Sequence, residues 1–257
     1  MQTGWLKRAG SHAVEHYPCP HPGVLVDMNA PPAGCLHTIE GSLESGLAVF
    51  RQHFAPTFTA GRDVKGKLRL LQHVPLGYIA SALENDPGGV ETNRAFRVQV
   101  EIAEFSRLEP WVPTWPLQGA AIDEGMLGLL ADLFATLETA CGIPLERPWP
   151  DTLKSGLVWA TETNPRRIAK GAKQPFGRKP GWYAHVDVPE NAHWDTGSLR
   201  VSTLLDLARA RPWLTPTTNP KPKRLSKVRW NVKARRLDPD GTLAANACPC
   251  RPKGTIR

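Results

Sequence analysis

Cysteine is scarce in this chain: 257 residues contain five, an odd number, so a framework of paired disulfides is not expected. No apolar run approaches the ~18 residues that a membrane-spanning helix needs, which predicts no transmembrane segment. The opening MQTGWLKRAGSHAVEHY lacks the apolar core of a signal peptide, so we expect a chain that begins in a cytoplasm. These absences leave an ordinary globular protein with reduced thiols.

Acidic side chains are nearly absent from residues 217–257. The whole chain has 32 Lys or Arg and 24 Asp or Glu. Residues 217–257 contain eleven of the basic residues and two of the acidic ones, so residues 1–216 contain 21 basic and 22 acidic residues. Prolines at 216, 220 and 222 oppose a helix, which predicts a domain over 1–212 and a basic, Pro-rich tail over 213–257. Two interpretations of the tail stay open: a tether to an anionic polymer or surface, or a solvated, poorly ordered terminus.

The body alternates strand-like and helix-like segments, which is typical of an α/β fold. Leu43, Leu47, Phe50 and Phe54 have the spacing of one helical face, whereas other segments are rich in strand-forming residues. The predicted elements are strands around 34–37, 67–75, 96–105 and 183–188, and helices over 43–54, 122–141 and 198–209. The polar stretch 147–182 is long for a connection and indicates a functional or disordered loop.

One predicted strand carries a carboxylate on its polar side. Val98, Val100 and Ile102 alternate with polar residues, so Glu101 is expected on the face opposite the apolar row. Two interpretations of Glu101 stay open at this point: a solvated strand residue, or a group that acts in a site.

Two histidines and an aspartate lie in or after predicted strands. His37 ends a predicted strand, His185 lies in another, and Asp195 follows ten residues later. Two imidazoles and one carboxylate, with a fourth position left for water, form an open catalytic zinc site. The same donors also accept other divalent metals, so the metal is not settled by this set alone.

Four segments carry a resemblance to a known family: HTIEG at 37–41, RLLQHVPL at 69–76, NRAFRVQVEI at 93–102 and GWYAHVDVPENAHWDTGSL at 181–199. The chain resembles, over roughly residues 20–210, the type 2 zinc-dependent N-acetylmuramoyl-L-alanine amidases, which are related to peptidoglycan recognition proteins, and especially their bacteriophage endolysin versions. The resemblance implies a mixed central β-sheet flanked by helices. It also implies Zn²⁺ and cleavage of the amide between N-acetylmuramic acid and L-alanine.

The resemblance also implies roles for individual residues. It makes His37, His185 and Asp195 the metal ligands and Glu101 the catalytic residue that handles the reacting water. His193 occupies the position where some members have a catalytic lysine, and it can donate only in a suitable tautomer or charge state. The substrate-binding residues are expected to be Asn93 and Trp194, although packing is the commoner use of tryptophan.

The implied partner is bacterial peptidoglycan, with an anionic wall polymer or membrane surface as a further partner of the tail. An endolysin would accumulate as a monomer in the host bacterial cytoplasm before release to the wall. A non-catalytic peptidoglycan-binding or virion-associated protein is the alternative that stays open. Binding of nucleic acid by the tail ranks below both, because the tail has no nucleic-acid-binding motif.

Overall fold

The computed structural model divides the chain into two compact units, Met1–Thr215 and Pro216–Arg257. The residues that it describes are 3–20, 23–52, 54–84, 92–104, 123–148, 179–189, 191, 195–196 and 199–213. The second unit, and with it almost all of the predicted basic tail, lies outside the described residues. No helix in those ranges is long and apolar enough to cross a membrane.

The described residues form eight strands and three α-helices. The strands are β1 (Arg8–Ala9), β2 (His12–Ala13), β3 (Glu15–His16), β4 (Ala33–Thr38), β5 (Phe58–Arg62), β6 (Leu68–Gln72), β7 (Val98–Ile102) and β8 (Gly181–Ala184). The helices are α1 (Leu43–Phe50), α2 (Glu124–Cys141) and α3 (Val201–Arg209).

Six of the strands form one mixed sheet in the order β3-β6-β5-β7-β4-β8. Strands β5, β7, β4 and β8 are parallel to one another, whereas β6 runs antiparallel to β5 and pairs in parallel with β3. The predicted α/β class with a mixed sheet is therefore confirmed. Strand β4 lies between β7 and β8, so the carboxyl ends of these three strands share one edge of the sheet.

The longest helix, α2, begins and ends where its sequence provides caps. Asp123 accepts a hydrogen bond from Met126 N at 2.9 Å, and Gly142 closes the helix with φ of 69°, a conformation that glycine adopts without strain. Helices α2 and α3 share one buried core with Val98, Val100 and Ile102 of β7. Leu43 of α1 belongs to a separate buried cluster with Leu71 and Ala103. Helices thus cover both faces of the sheet.

Several predicted element ends were wrong. The first helix ends at Phe50, and Phe54 is exposed, so the apolar helical face does not continue to 54. The last strand ends at Ala184, because Asp187 Oδ2 accepts a hydrogen bond from Ala184 N at 3.0 Å and turns the chain into a 3-10 helix over His185–Asp187. Arg147 Nη1 fixes this carboxylate at 2.8 Å.

Other predicted ends also shifted, and some strands were missed. The predicted strands at 67–75 and 96–105 are shorter in the structure, and the helix predicted over 198–209 begins at Val201. Strand β5 was not predicted, because Ala60 and Gly61 give it no apolar alternation; it is nevertheless buried between β6 and β7. The short strands β1 to β3 were also missed.

His73 forms a buried hydrogen-bonded link beside α1. Its Nδ1 lies 3.0 Å from the carbonyl of Tyr17 and must donate to it, so Nε2 accepts from the Thr59 hydroxyl at 2.8 Å. Burial lowers the pKa of His73 from 6.5 to about 4, despite the opposing hydrogen bond to Tyr17. The folded protein therefore keeps this imidazole neutral.

We expect His73 to lower the free energy of unfolding as pH falls from about 6.5 to about 4. In that window the unfolded chain binds a proton that the folded chain does not, which costs up to about 1.4 kcal/mol for each pH unit. Denaturant unfolding of the wild type and of His73→Gln should be compared at each pH, since their difference isolates this residue from other titrating groups. Parallel pH profiles for the two proteins would contradict the expectation.

Candidate metal centre

Polar side chains from three parallel strands meet at the carboxyl edge of the sheet. His37 lies near the end of β4 and is directly opposite Glu101 of β7 in the strand register. His185 immediately follows β8, the neighbour of β4 on its other side. Ligand sites in open α/β sheets lie at this edge, where connections lead away from a central strand to both sides.

The structure brings the three predicted metal ligands together. His37, His185 and Asp195 are buried, and one ligand atom from each lies within 4.8 Å of the others. The His185 Nδ1 to Asp195 Oδ1 distance is 3.0 Å, and the two imidazole ring centres are 4.5 Å apart. Tetrahedral zinc with bonds of about 2.0–2.1 Å places its ligand atoms about 3.3 Å apart. The donor set and its spacing therefore fit a divalent ion.

Asp195 is hydrogen-bonded to the residues that directly follow His37 and His185. Its Oδ2 accepts a hydrogen bond from Thr38 N at 2.9 Å, and its backbone carbonyl accepts one from Val186 N at 2.7 Å. Burial alone would raise the pKa of Asp195, but the nearby His185 and the Thr38 hydrogen bond hold it below its usual value. The carboxylate is thus kept ionised, as a metal ligand must be.

Asp195 in turn raises the pKa of His185. Burial by itself lowers the pKa of this imidazole, yet the charge of Asp195 and the hydrogen bonds to Asp195 and Asn191 outweigh it, so the net direction is upward. A buried anion so close to the ring favours a positive charge in this space. A proton or a metal ion can supply that charge.

Glu101 borders the three ligands. Its Oε1 lies 3.9 Å from His37 Nδ1, and among the described residues Oε2 has no hydrogen-bond partner. The apolar side chains of β7 belong to the core shared with α2, so Glu101 lies on the opposite face, as predicted. Burial, and then the charge of Asp195, raise the pKa of Glu101 to about 8, which is a feature common at functional sites.

Asn93 is engaged within the protein. Its Oδ1 accepts from Leu83 N at 3.1 Å and from Gln99 Nε2 at 3.0 Å, while its Nδ2 donates to the Leu83 carbonyl at 2.7 Å. These bonds hold the side chain against the segment that contains Leu83, and the predicted role of Asn93 in substrate binding stays a prediction. Trp182, which also stands near the ligands in sequence, is fully buried and stacks on Phe134 with ring centres 3.9 Å apart.

Two of the predicted site residues, His193 and Trp194, lie outside the described residues. Their predicted roles in catalysis and substrate binding stay predictions. One residue of the site was missed by sequence reasoning: Asn191, whose Oδ1 lies 3.1 Å from His185 Nε2. Its only sequence signal was its place in the VPENAHWD segment between two ligands.

Comparisons with protein-family models, curated proteins and solved structures find no match. The class of site is therefore defined by its own chemistry. It is a buried group of two imidazoles and one carboxylate that could hold a metal ion, with a second carboxyl group at its border.

Proposed function

We propose that this protein is a zinc-dependent N-acetylmuramoyl-L-alanine amidase of the bacteriophage endolysin type. The observation that carries the proposal is the buried group formed by His37, His185 and Asp195, with Glu101 beside it. The four sequence segments that resemble type 2 amidases supply the substrate class, and all of the ligands lie within them.

We assign zinc to this donor set, in keeping with the family resemblance. Catalytic zinc sites have three protein ligands, commonly histidine with a carboxylate, and leave the fourth position for water or substrate. A zinc ion held by His37, His185 and Asp195 would supply Lewis-acid polarisation of a water molecule and of the scissile carbonyl. The buried surroundings strengthen these electrostatic effects, because water screens them less.

Glu101 is the group that we assign to proton transfer. A positive ion held by His37, His185 and Asp195 would lower the raised pKa of Glu101 and so favour its carboxylate form. That carboxylate would accept a proton from the attacking water as the water oxygen bonds to the carbonyl carbon. The same carboxyl group then returns the proton to the L-alanine nitrogen as the C–N bond breaks. The immediate products are a lactyl carboxylic acid on N-acetylmuramic acid and a free alanine amine. Transfer of the remaining acid proton to the amine gives a carboxylate and an ammonium group, so atoms and charges balance.

The remaining sequence features fit a wall hydrolase made inside a bacterial host. We assign the basic tail to an anionic wall polymer or membrane surface, with the neutral body acting on peptidoglycan. The protein would gather in the host cytoplasm as a monomer until it reaches the wall.

Incubating the zinc-loaded protein with purified peptidoglycan tests the proposal. We expect new N-terminal alanine without new reducing sugar ends, because an amide and not a glycosidic bond is cut. A chelated sample is the control and should release neither. Wall binding with no new ends of either kind would instead indicate a non-catalytic peptidoglycan-binding or virion-associated protein. New reducing ends would overturn the amidase assignment.

A further inference from the structure

The two ring nitrogens of His185 face different partners. Nδ1 lies 3.0 Å from Asp195 Oδ1, on the side of the other candidate ligands. Nε2 lies 3.1 Å from Oδ1 of the buried Asn191, on the far side of the ring. Which nitrogen carries the hydrogen decides which one can bind a metal ion, since a metal binds the nitrogen that has a free electron pair.

The orientation of the Asn191 amide is fixed by its other hydrogen bonds. Nδ2 donates to two backbone carbonyls, that of Glu84 at 3.1 Å and that of Pro189 at 2.9 Å. Oδ1 accepts from Glu84 N at 2.9 Å. Flipping the amide would place its NH₂ group against a backbone N–H and its oxygen against two carbonyls. The atom that faces His185 is therefore an acceptor, and Nε2 must donate a hydrogen to it.

We propose that Asn191 is a positioning residue that holds His185 with its hydrogen on Nε2 and so assigns Nδ1 as the metal-binding atom. This inference rests on the metal centre of the proposed function. Histidine ligands of metals commonly donate their second ring N–H to an oxygen, which fixes the ring and makes the ligand more basic. Here a side-chain amide supplies that oxygen.

Three side-chain amides, those of Gln99, Asn93 and Asn191, hold the backbone of residues 82–84. Gln99 Oε1 accepts from Ala82 N at 3.2 Å, Asn93 binds both backbone polar groups of Leu83, and Asn191 binds both of Glu84. Gln99 also donates to Asn93 Oδ1 at 3.0 Å, which links two of these amides. Two buried asparagines thus do the same structural work on adjacent residues, but of the two only Asn191 has a described hydrogen bond to His185.

Asn93 therefore provides a matched control. The zinc dissociation constant of folded wild type, Asn191→Leu and Asn93→Leu should be measured by competition with a chromophoric chelator. We expect Asn191→Leu to bind zinc about 10- to 100-fold more weakly, the usual effect of removing such a partner. Asn93→Leu should keep the wild-type affinity, although it loses comparable hydrogen bonds. Asn191→Asp keeps an acceptor oxygen and should recover most of the loss.

The outcomes separate this inference from the proposed function. A wild-type protein that binds no zinc would overturn the metal centre itself. Zinc binding by the wild type, with equal affinities for Asn191→Leu and Asn93→Leu, would overturn the role of Asn191 alone. If Asn191→Leu does not fold, ¹⁵N NMR of the His185 ring in the zinc-loaded wild type decides instead. Hydrogen on Nε2 supports the inference, and hydrogen on Nδ1 overturns it.

Discussion

Replacing Glu101 with glutamine is expected to slow peptidoglycan hydrolysis by about 10²- to 10⁴-fold, the range associated with a positioned general base. Glutamine has nearly the same shape but cannot accept a proton from water at neutral pH. Glu101 lies beside His37 without being one of the three grouped ligand residues, so zinc binding should survive the change. The measurements are release of N-terminal alanine and the zinc dissociation constant on the same preparation.

Glu104→Gln is the matched control for this experiment. Glu104 follows β7 three residues after Glu101, and burial raises its pKa as well. It is not part of the metal-binding group, so its replacement should leave hydrolysis unchanged. Full hydrolysis by Glu101→Gln would remove Glu101 from the mechanism, whereas loss of zinc affinity in Glu101→Gln would show that the glutamate acts on the metal centre instead.

Asp195→Asn is expected to abolish the stabilisation of the protein by zinc. At free zinc 100 times the dissociation constant, binding to the folded state adds about 2.7 kcal/mol, or roughly 5–10 °C in Tm for a domain of this size. Asparagine can still accept the hydrogen bond from Thr38 N, so we expect the fold to be retained. It supplies no negative charge to the ion, and hydrolysis should be lost together with the zinc-dependent rise in Tm.

A second buried aspartate controls for the loss of a carboxylate from the interior. Asp132 of α2 lies 2.8 Å from Arg211 Nε and accepts hydrogen bonds from Ser11, outside the metal-binding group. Asp132→Asn should lower the baseline Tm but keep the full zinc-dependent rise, which is read by calorimetry with and without zinc. An unchanged zinc response in Asp195→Asn would contradict the ligand assignment.

The parts of the structure that the sequence predicted well are those with strong local signals. The regular apolar spacing within 122–141 located α2, and the alternation in β7 placed Glu101 on the correct face. The three candidate metal ligands could be named because each lies in a segment that resembles a known family: His37 near the end of β4, His185 directly after β8, and Asp195 ten residues further on. Their mutual closeness follows from the parallel alignment of β4 and β8.

Features that depend on distant partners could not be predicted in the same way. The stop of β8 at Ala184 depends on Asp187, which is held by Arg147 from 40 residues earlier. The hydrogen bonds of Asn93 could not be predicted either, because its partners, Leu83 and Gln99, become its neighbours only in the fold. Such pairings between distant residues cannot be predicted from a local sequence pattern.

The hydrogen bond between Thr38 and Asp195 joins residues 157 positions apart. At synthesis rates of about 5–20 residues per second, roughly 8–30 seconds pass between the addition of the first ligand to the growing chain and that of the last. A nascent chain therefore has an incomplete ligand set during most of its translation. On the proposed function, the hydrolase becomes competent only when the ribosome has nearly finished its body, and shortened products of interrupted translation that end before Asp195 have no metal centre.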